Sequence, residues 1–573
     1  MLIKFCKIKV CGILDFLTVF FLLWSFLLFF FHVFLYILFW CNFREFILEI
    51  EFFFRGFCFY NHIVIDLFSL IFLRFIFLIS MVVIFYRWFY IRTDLNLVRF
   101  LVLVIFFIRS MGLLTLSPSI VGLILGWDGL GVTSFLLVIY YNNVSSLRSG
   151  LITIFTNRFG DVFLLFGLFY LLSFGWYIGD VFFLYFIPVF FSLFFLLAGI
   201  TKRAQIPFSA WLPAAMSAPT PVSSLVHSST LVTAGVYLFI RYYFIINNLL
   251  LSFLFTILRL LTRLTAGVIA CVERDLKKLV AISTLRQLGI IIFCVCISQV
   301  FFTFFHIVRH ALFKSLLFLC CGFFILIRLG NQDIRFIGNK YILRKGFFFI
   351  LLLSVLRLCG FPFLSGFFSK DLIIDFIFNE SIITIFLWLF LFSCLLSLIY
   401  RFKFLNLGLI KGQLRFFSCS TFFNFFLTMI LIVLFIWSIF LGRNVFFLII
   451  DGELFIFFYI YKVIGLLLYF FTFFIFLNIF LQLVFHKSLI SFFREILNIN
   501  WYFRSKITNN LFFTYIFIVG EIFWLEVYGA KGLRMVLSFL NSFFSLFIKN
   551  STTSLLFFII IFFSFFIFLS YSL

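Results

Sequence analysis

Residues 300–327 read VFFTFFHIVRHALFKSLLFLCCGFFILI, an apolar run interrupted by four basic side chains. A helix needs about 20 predominantly apolar residues to cross the hydrocarbon core of a bilayer, and this run exceeds that length. The composition predicts a membrane-spanning helix. Its basic residues call for an explanation, because a charge inside lipid is costly.

Similar runs recur along the chain of 573 residues, of which 65% are hydrophobic and 11% charged. That composition excludes a soluble enzyme and a disulfide-stapled secreted domain. With one helix and its connection per roughly 35 residues, the length predicts about 15–16 transmembrane helices. The runs lie at residues 13–40, 64–91, 98–116, 118–140, 149–174, 181–200, 220–246, 249–272, 279–298, 300–327, 347–378, 382–400, 418–441, 454–483 and 552–571.

The net charge of +23 comes from 43 Lys and Arg residues against 20 Asp and Glu residues. In a polytopic membrane protein such an excess lies mostly in loops and follows the positive-inside rule, so nucleic acid is not an expected partner. The 12 cysteines include no CxxC pair, which disfavours iron–sulfur clusters and structural zinc. We therefore expect no cofactor and no metal in this chain.

Two segments carry a proline in apolar surroundings, KRAQIP at 202–207 and CGFPFLSG at 359–366. A helix broken at membrane depth leaves backbone groups unpaired, so such breaks face protein or a water-filled cavity. A lysine stands close to each break, Lys202 and Lys370, as in an internally duplicated transporter. Asp371 can offset the charge of Lys370. The alternatives are ordinary proline kinks and a lysine that extends to the membrane surface.

Other ionisable residues inside the predicted spans suggest function, because their charge is expensive there. Asp128 lies midway along one run, and His227 lies near the start of another. Arg158 and Asp161 are three residues apart, so they share a helix face and are predicted to form a structural ion pair.

His306, His310 and Lys314 recur at intervals of four residues and share one helix face over about 12 Å of its axis. Imidazole, imidazole and ammonium in series suit proton relay, because histidine titrates near neutral pH and a desolvated lysine can release its proton there. Ligation of a metal or haem by the histidine pair is the alternative. Arg309 and Lys314 disfavour it, because both would repel a cation.

Residues 484–550 are Phe-rich but contain no clean apolar run, and they carry more Lys and Arg than Glu. This pattern predicts an amphipathic lateral helix along the membrane at 488–550. A final transmembrane anchor follows at 551–573.

The stretch TKRAQIPFSAWLPAAMSAPTPVSSLVHSSTLVTAGVYLFIRY at 201–242 resembles the NADH dehydrogenase (ubiquinone) subunit 5 family of mitochondrial type. These are the distal antiporter-like membrane subunits of respiratory complex I. Further similarities follow in the same order at residues 125–131, 157–161, 275–289, 310–314 and 359–371.

The resemblance implies an all-α polytopic membrane protein with two broken helices in inverted repeats, beside the lateral amphipathic helix. It implies a proton-translocating subunit of NADH:ubiquinone oxidoreductase in the mitochondrial inner membrane, with electron transfer in other subunits. The corresponding regions are N-terminal helices at 1–95, two half-channels at 96–246 and 247–405, and C-terminal bundle helices at 406–487.

By position, the resemblance also implies which residues transfer protons. They are Asp128, Lys202, His227, His306, His310, Lys314, Lys370 and Asp371. Asp128 would pair with Lys202 in the first half-channel, His227 and the stripe would continue a hydrated axis, and Lys370 with Asp371 would form the exit.

The implied partners are the other membrane-arm subunits of complex I, especially the adjacent antiporter-like subunit. Membrane lipids are further partners, with cardiolipin as one candidate. The alternative function is that of a subunit in a multi-subunit cation/proton antiporter, which shares the lysine and acid motifs. A structural scaffold with an inactive channel is a third possibility.

The sequence departs from the family pattern at several positions. Asp128 stands where Glu is usual, which shortens the reach to Lys202 by one methylene. Arg203, Arg286 and Arg357 stand where small or apolar residues are common.

Overall fold

The computed structural model describes residues 45–54, 57–91, 94, 96–117, 120–172, 189–243, 249–297, 299–327, 330–334, 345–360, 384–405 and 428–439, with 364, 366, 369, 370, 373, 534 and 538. Contacts divide the chain into two units, residues 1–497 and 498–573. The helices described below belong to the first unit. The first apolar run, the predicted final anchor and, apart from residues 534 and 538, the predicted lateral helix lie outside the described residues.

A β-hairpin opens the described part and was not predicted. Strand β1 (Glu45–Phe54) pairs antiparallel with β2 (Phe57–Asp66), from Glu45 opposite Asp66 to Phe54 opposite Phe57. Residues 44–55 lie between the apolar runs at 13–40 and 64–91 and carry two arginines and three glutamates. These glutamates all stand at odd-numbered positions, the period-two spacing typical of a strand.

The remaining described elements are helical. They are α1 (Leu67–Tyr90), α2 (Leu97–Leu116), α3 (Ile120–Val138), α4 (Val144–Leu172), α5 (Val189–Lys202), α6 (Trp211–Ala214), α7 (Thr220–Arg241), α8 (Leu249–Val272), α9 (Leu276–Cys296), α10 (Val300–Ile327), α11 (Lys345–Cys359), α12 (Thr384–Leu405) and α13 (Thr428–Ile439). Seven of these described helices are long and apolar enough to cross a membrane: α1, α2, α4, α7, α8, α9 and α10. The helical, polytopic architecture is confirmed, and the total of about 15–16 spans stays a prediction.

The start of α1 illustrates how local chemistry sets a boundary. The carboxylate of Asp66 accepts a hydrogen bond from the main-chain N–H of Ser69, and the Ser69 hydroxyl accepts one from the N–H of Asp66. This reciprocal capping box satisfies two N–H groups that the first helical turn leaves unpaired.

Burial separates central helices from peripheral ones. In the apolar stretches of α7 and α10 every residue is buried, and in that of α9 94% of the residues are buried. In the apolar stretch of α4 only 39% are buried. Helix α1 packs on α7 through the stacked rings of Phe72 and Tyr237, 4.9 Å apart. The helices that carry His227 and the His306–Lys314 stripe therefore form the interior of the described bundle.

The first predicted helix break is confirmed. Helix α5 ends at Lys202, and the chain turns through Ala204, whose φ is +55°, before the short helix α6 begins. A 3₁₀ turn, Ala215–Ser217, then leads into α7. At the second predicted break, α11 ends at Cys359 and Gly360 has a φ of +77°, as at many helix ends.

Helix α7 is irregular along its first half. Its opening turn, Thr220–Val222, is followed by a π-helical segment, Ser223–Thr230, before regular α-helix resumes at Leu231. Hydroxyl groups donate to main-chain carbonyls in this segment, as Thr230 does to Leu225 at 2.7 Å. Such π-helical stretches are rare and often occur at functional sites.

Candidate functional site

Lys202 ends α5 with its ammonium in the interior, since 3% of its side chain is exposed. Its Nζ lies 3.8 Å from Oδ1 of Asp161 on α4 and donates a hydrogen bond to the main-chain carbonyl of Trp127 on α3, at 3.4 Å. The same ammonium lies 4.6 Å from the centroid of the Trp127 ring, a cation–π contact. Three helices thus meet around one lysine.

Asp161 makes three polar contacts within the described structure. The indole N–H of Trp127 donates to its Oδ1 at 2.7 Å, and Lys202 approaches the same oxygen. Arg158, one turn earlier on α4, donates to its Oδ2 at 3.3 Å. The predicted ion pair between Arg158 and Asp161 is confirmed. The same Asp161 carboxylate also lies beside the Lys202 ammonium.

The expected pairing of Asp128 with Lys202 was wrong in its choice of carboxylate. The side chain of Asp128 is 45% exposed, and its recorded ion-pair partner is Arg158, at 4.0 Å. Trp127 and Asp128 are neighbours on α3, so their side chains point about 100° apart around the helix. Asp161 of α4 is the carboxylate that lies within 4 Å of the Lys202 ammonium, and Asp128 acts on that ammonium from a greater distance.

Four charges of alternating sign therefore form a chain from the edge of the bundle to its interior: Asp128, Arg158, Asp161 and Lys202. Arg158 is 52% exposed, and Asp161 and Lys202 are buried. A pair about 4 Å apart interacts by about 4 kcal/mol at an effective dielectric constant of about 20. Each charge in this chain is thus stabilised by a neighbour of opposite sign.

His227 lies in the π-helical segment of α7 and is buried. Its ring centroid is 6.2 Å from that of Trp211. Within the described ranges, neither ring nitrogen has a hydrogen-bond partner. His227 therefore lies in the interior, and within the described ranges its ring forms no hydrogen bond with Lys202 or with the stripe.

The predicted stripe on α10 is buried throughout. The Nδ1 of His306 lies 3.1 Å from the Ser369 hydroxyl, and the Lys314 ammonium donates to the Ser283 hydroxyl of α9. His310 has no hydrogen-bond partner among the described residues. In the same part of the chain, no three His, Cys, Asp or Glu side chains lie close enough together to hold a metal ion.

A small cavity joins the stripe to the second break. It measures about 10 Å³, and its lining includes His306, His310, Gln287 and Lys370. A second cavity of about 20 Å³ is lined by Ser283 and Arg401, among others. Both are close to the volume that one water molecule needs. Lys370 is buried as expected, and Asp371 lies outside the described residues.

Sequence reasoning missed two kinds of residue at the site. Trp127 stands beside Asp128 in the sequence, which is the signal that could have drawn attention to it. The second kind is a set of buried arginines. The sequence analysis singled out only three of them, Arg203, Arg286 and Arg357, as departures from the family pattern. The members of the set are Arg203, Arg259, Arg263, Arg286, Arg309, Arg357 and Arg401.

Aromatic rings provide much of the environment of these arginines. The guanidinium of Arg203 lies 3.4 Å from the Phe239 ring centroid, and that of Arg309 lies 3.7 Å from the centroid of Phe305. Cation–π contacts of this kind contribute about 2 kcal/mol when desolvated, less than the cost of burying a charge.

The chain is similar in sequence to several known proteins. A family model described as the transmembrane region of NADH:quinone oxidoreductase and Mrp antiporter proteins matches residues 117–397. NADH-ubiquinone oxidoreductase chain 5 of Aedes aegypti is 45% identical over 343 residues, which cover 59% of either chain. The protein of that name from Anopheles arabiensis is 45% identical over 315 residues, which cover 54% of this chain and 82% of that one.

An annelid relative is similarly close: the chain 5 protein of Lumbricus terrestris is 44% identical over 322 residues, 55% of either chain. This chain thus spans between half and two thirds of most of these relatives. Among solved structures, the Mrp complex from Dietzia sp. matches 76% of this chain and 55% of its own with a TM-score of 0.60. At 21% identity, that likeness shows a shared fold.

Proposed function

Since this chain belongs to the family of NADH-ubiquinone oxidoreductase chain 5, we propose that it is a proton-translocating membrane subunit of respiratory complex I. Its role would be to move protons across the membrane in response to NADH oxidation and quinone reduction in other subunits. We place no redox centre in this chain. Cysteines scattered without a CxxC pair support that assignment.

The observation that carries the proposal is the ion chain from Asp128 through Arg158 and Asp161 to Lys202. A buried amine holds its proton poorly because burial disfavours the charged form, whereas a nearby carboxylate favours it. The position of Asp161 therefore decides whether Lys202 is protonated. When Asp161 shifts toward Arg158, Lys202 releases its proton, and when Asp161 returns, the amine takes up another.

The second half of the path runs along α10. A proton passes by hydrogen bonds among His306, His310 and water in the cavity that they share with Lys370. Lys314 contributes a further ammonium, held by Ser283. His227 lies between the two halves in sequence, and Asp371 is assigned the exit with Lys370.

The exposed face of α4 supports a proposed binding place for a partner subunit. Arg158 lies 14 residues into this helix, about 21 Å along its axis, so its charge lies near the middle of a helix that is long enough to span a membrane. A half-exposed guanidinium at that position, beside exposed Phe155, Phe159 and Phe166, is expensive in lipid. We assign this face to the adjacent antiporter-like subunit, and the membrane to the mitochondrial inner membrane of an animal.

A cation/proton antiporter subunit is the second candidate. The matching family model covers both kinds of protein, and the Mrp complex from Dietzia sp. shares the fold. Purification from native membranes separates the two, because the proposed subunit would copurify with flavin and iron–sulfur proteins. A chain that purifies without them would favour the antiporter.

The direct test is Lys202→Ala in the assembled complex. We expect normal NADH oxidation with an artificial acceptor, which does not require the membrane subunits, but reduced proton movement and quinone-linked turnover. Lys278→Ala is the control, since that lysine is 47% exposed and paired with Asp275. Full proton pumping in an assembled Lys202→Ala enzyme would refute the assignment.

A further inference from the structure

Lys277 carries a buried charge that the proposed proton path does not use. It lies in the first turn of α9 and is 4% exposed, and its ammonium donates to the main-chain carbonyl of Ala218 at 3.0 Å. The next residue, Lys278, points outward and pairs with Asp275 at 2.9 Å. Of two adjacent lysines, one therefore occupies the costly interior position.

The carbonyl of Ala218 needs a donor that its own helix does not supply. Ala218 is extended, with ψ of 155°, and Pro221, three residues further on, has no N–H to donate to its carbonyl. The N–H groups of Val222 and Ser223 both bond to the carbonyl of Pro219, at 3.0 and 3.1 Å. Lys277 is the donor recorded for Ala218 in the described structure.

Ala218 lies just before the helical segment that carries His227. The opening turn of α7 follows two residues later, and the π-helical segment follows that. Neither nitrogen of the buried His227 ring is hydrogen-bonded in the described part, so the position of the ring depends on its own backbone and on packing against neighbours such as Trp211. Holding Ala218 therefore fixes the end of the segment from which His227 projects.

The main chain next to Lys277 is hydrogen-bonded to a second segment. Residues 274–276 pair with 332–334 in a short bridge, in which Leu276 donates to Gln332 at 2.9 Å and Ile334 donates to Arg274 at 3.0 Å. Helix α9 continues from this bridge to Ser283, which accepts the hydrogen bond of Lys314. One rigid helix thus contacts Lys314 near its middle and the His227 segment at its start.

We infer that Lys277 is a positioning residue, which holds the start of α7 so that His227 sits in register with the proton path. The inference rests on the proposed function for the part His227 plays, and on the hydrogen bond alone for the part Lys277 plays. The chemistry required of Lys277 is one strong donor at the Ala218 carbonyl. Arginine can supply that donor, whereas methionine, of similar length, cannot.

The experiment compares Lys277→Met, Lys277→Arg, His227→Leu and the double variant Lys277→Met/His227→Leu, with Lys278→Met as the matched control. Each is assembled into the complete complex, and protons moved per NADH oxidised are measured in sealed vesicles. We expect Lys277→Met to lose as large a fraction of pumping as His227→Leu. The double variant should lose no more pumping than either single variant, because both changes remove the same contribution to pumping. Lys277→Arg should restore pumping, and Lys278→Met should leave it unchanged.

An electron cryomicroscopy structure of the Lys277→Met complex gives a second readout that does not depend on pumping. We expect the segment 218–230 to shift and the separation between His227 and Trp211 to change from 6.2 Å. An unmoved segment, additive losses in the double variant, or failed assembly of Lys277→Met beside normal assembly of His227→Leu would each overturn the inference. A shifted segment with normal pumping by His227→Leu would instead refute the role proposed for His227.

Discussion

Trp127 contacts both members of the buried ion pair, through its indole N–H to Asp161 and its ring and carbonyl to Lys202. Trp127→Phe separates these contacts, because it removes the N–H and keeps an aromatic face. A hydrogen bond to a charged group contributes about 1.5–3 kcal/mol. We expect Trp127→Phe to lower proton pumping per NADH oxidised, though less than Lys202→Ala does. Trp88→Phe, at an exposed position, should pump normally, and equal pumping by both variants would rule out this role for Trp127.

Arg286 is a buried cation whose two terminal nitrogens have no hydrogen-bond partner among the described residues. It is 1% exposed. Its nearest recorded support is the ring of Tyr400, 5.6 Å away. An unpaired buried charge costs several kcal/mol. We therefore expect Arg286→Met, which keeps most of the side-chain volume and removes the charge, to raise the thermal midpoint of the assembled complex. A lowered midpoint would show that the guanidinium has a partner that stabilises it.

Many residue types of the site could be predicted from the sequence, because ionisable side chains are conspicuous inside apolar runs. Their pairing could not be predicted as well. Neighbours such as Trp127 and Asp128 point about 100° apart, and an apolar helix gives no polar face by which to decide which of them turns inward. The choice between Asp128 and Asp161 as partner of Lys202 depends on that orientation.

At the scale of elements, α4 and α5 approach closely at Gly160, directly beside Lys202. A Cβ atom placed at Gly160 would clash with the Thr201 hydroxyl and lie 3.1 Å from its Cβ. Overpacking of this kind costs about 1–3 kcal/mol. We expect Gly160→Ala to lower the thermal midpoint and to reduce pumping by displacing Lys202. The matched control is Gly112→Ala, where the added methyl meets nothing within 4 Å and should be tolerated. Equal midpoints for the two variants would contradict this packing argument.

The breaks in the helices could be predicted because proline lacks an N–H and disrupts a helix wherever it stands in the interior. The hairpin at 45–66 and the π-helical segment of α7 could not be recognised in the same way. In the first, strand β2 (Phe57–Asp66) continues into the apolar run that begins at residue 64, so the sequence pattern gives no boundary between strand and helix. The second depends on a hydrogen-bond register that serine and threonine hydroxyls modify only once the chain is folded.

For the molecule as a whole, two observations support proton translocation. The bundle interior contains buried lysines and histidines, and an ion chain leads into it from the exposed face of α4. The first could be predicted from runs of apolar residues interrupted by charge. The second required the packing of α3 against α4 and of α4 against α5. Under the proposed function, proton release from Lys202 depends on Asp161.

The most direct test of that central claim is to measure protons moved per NADH oxidised in vesicles containing Asp161→Asn or Asp128→Asn complexes. Asparagine keeps the size of each side chain and removes its charge. We expect Asp161→Asn to lose most of the pumping that depends on Lys202, and Asp128→Asn, whose carboxylate faces Arg158, to lose less. Normal pumping by Asp161→Asn beside a large loss in Asp128→Asn would contradict the account.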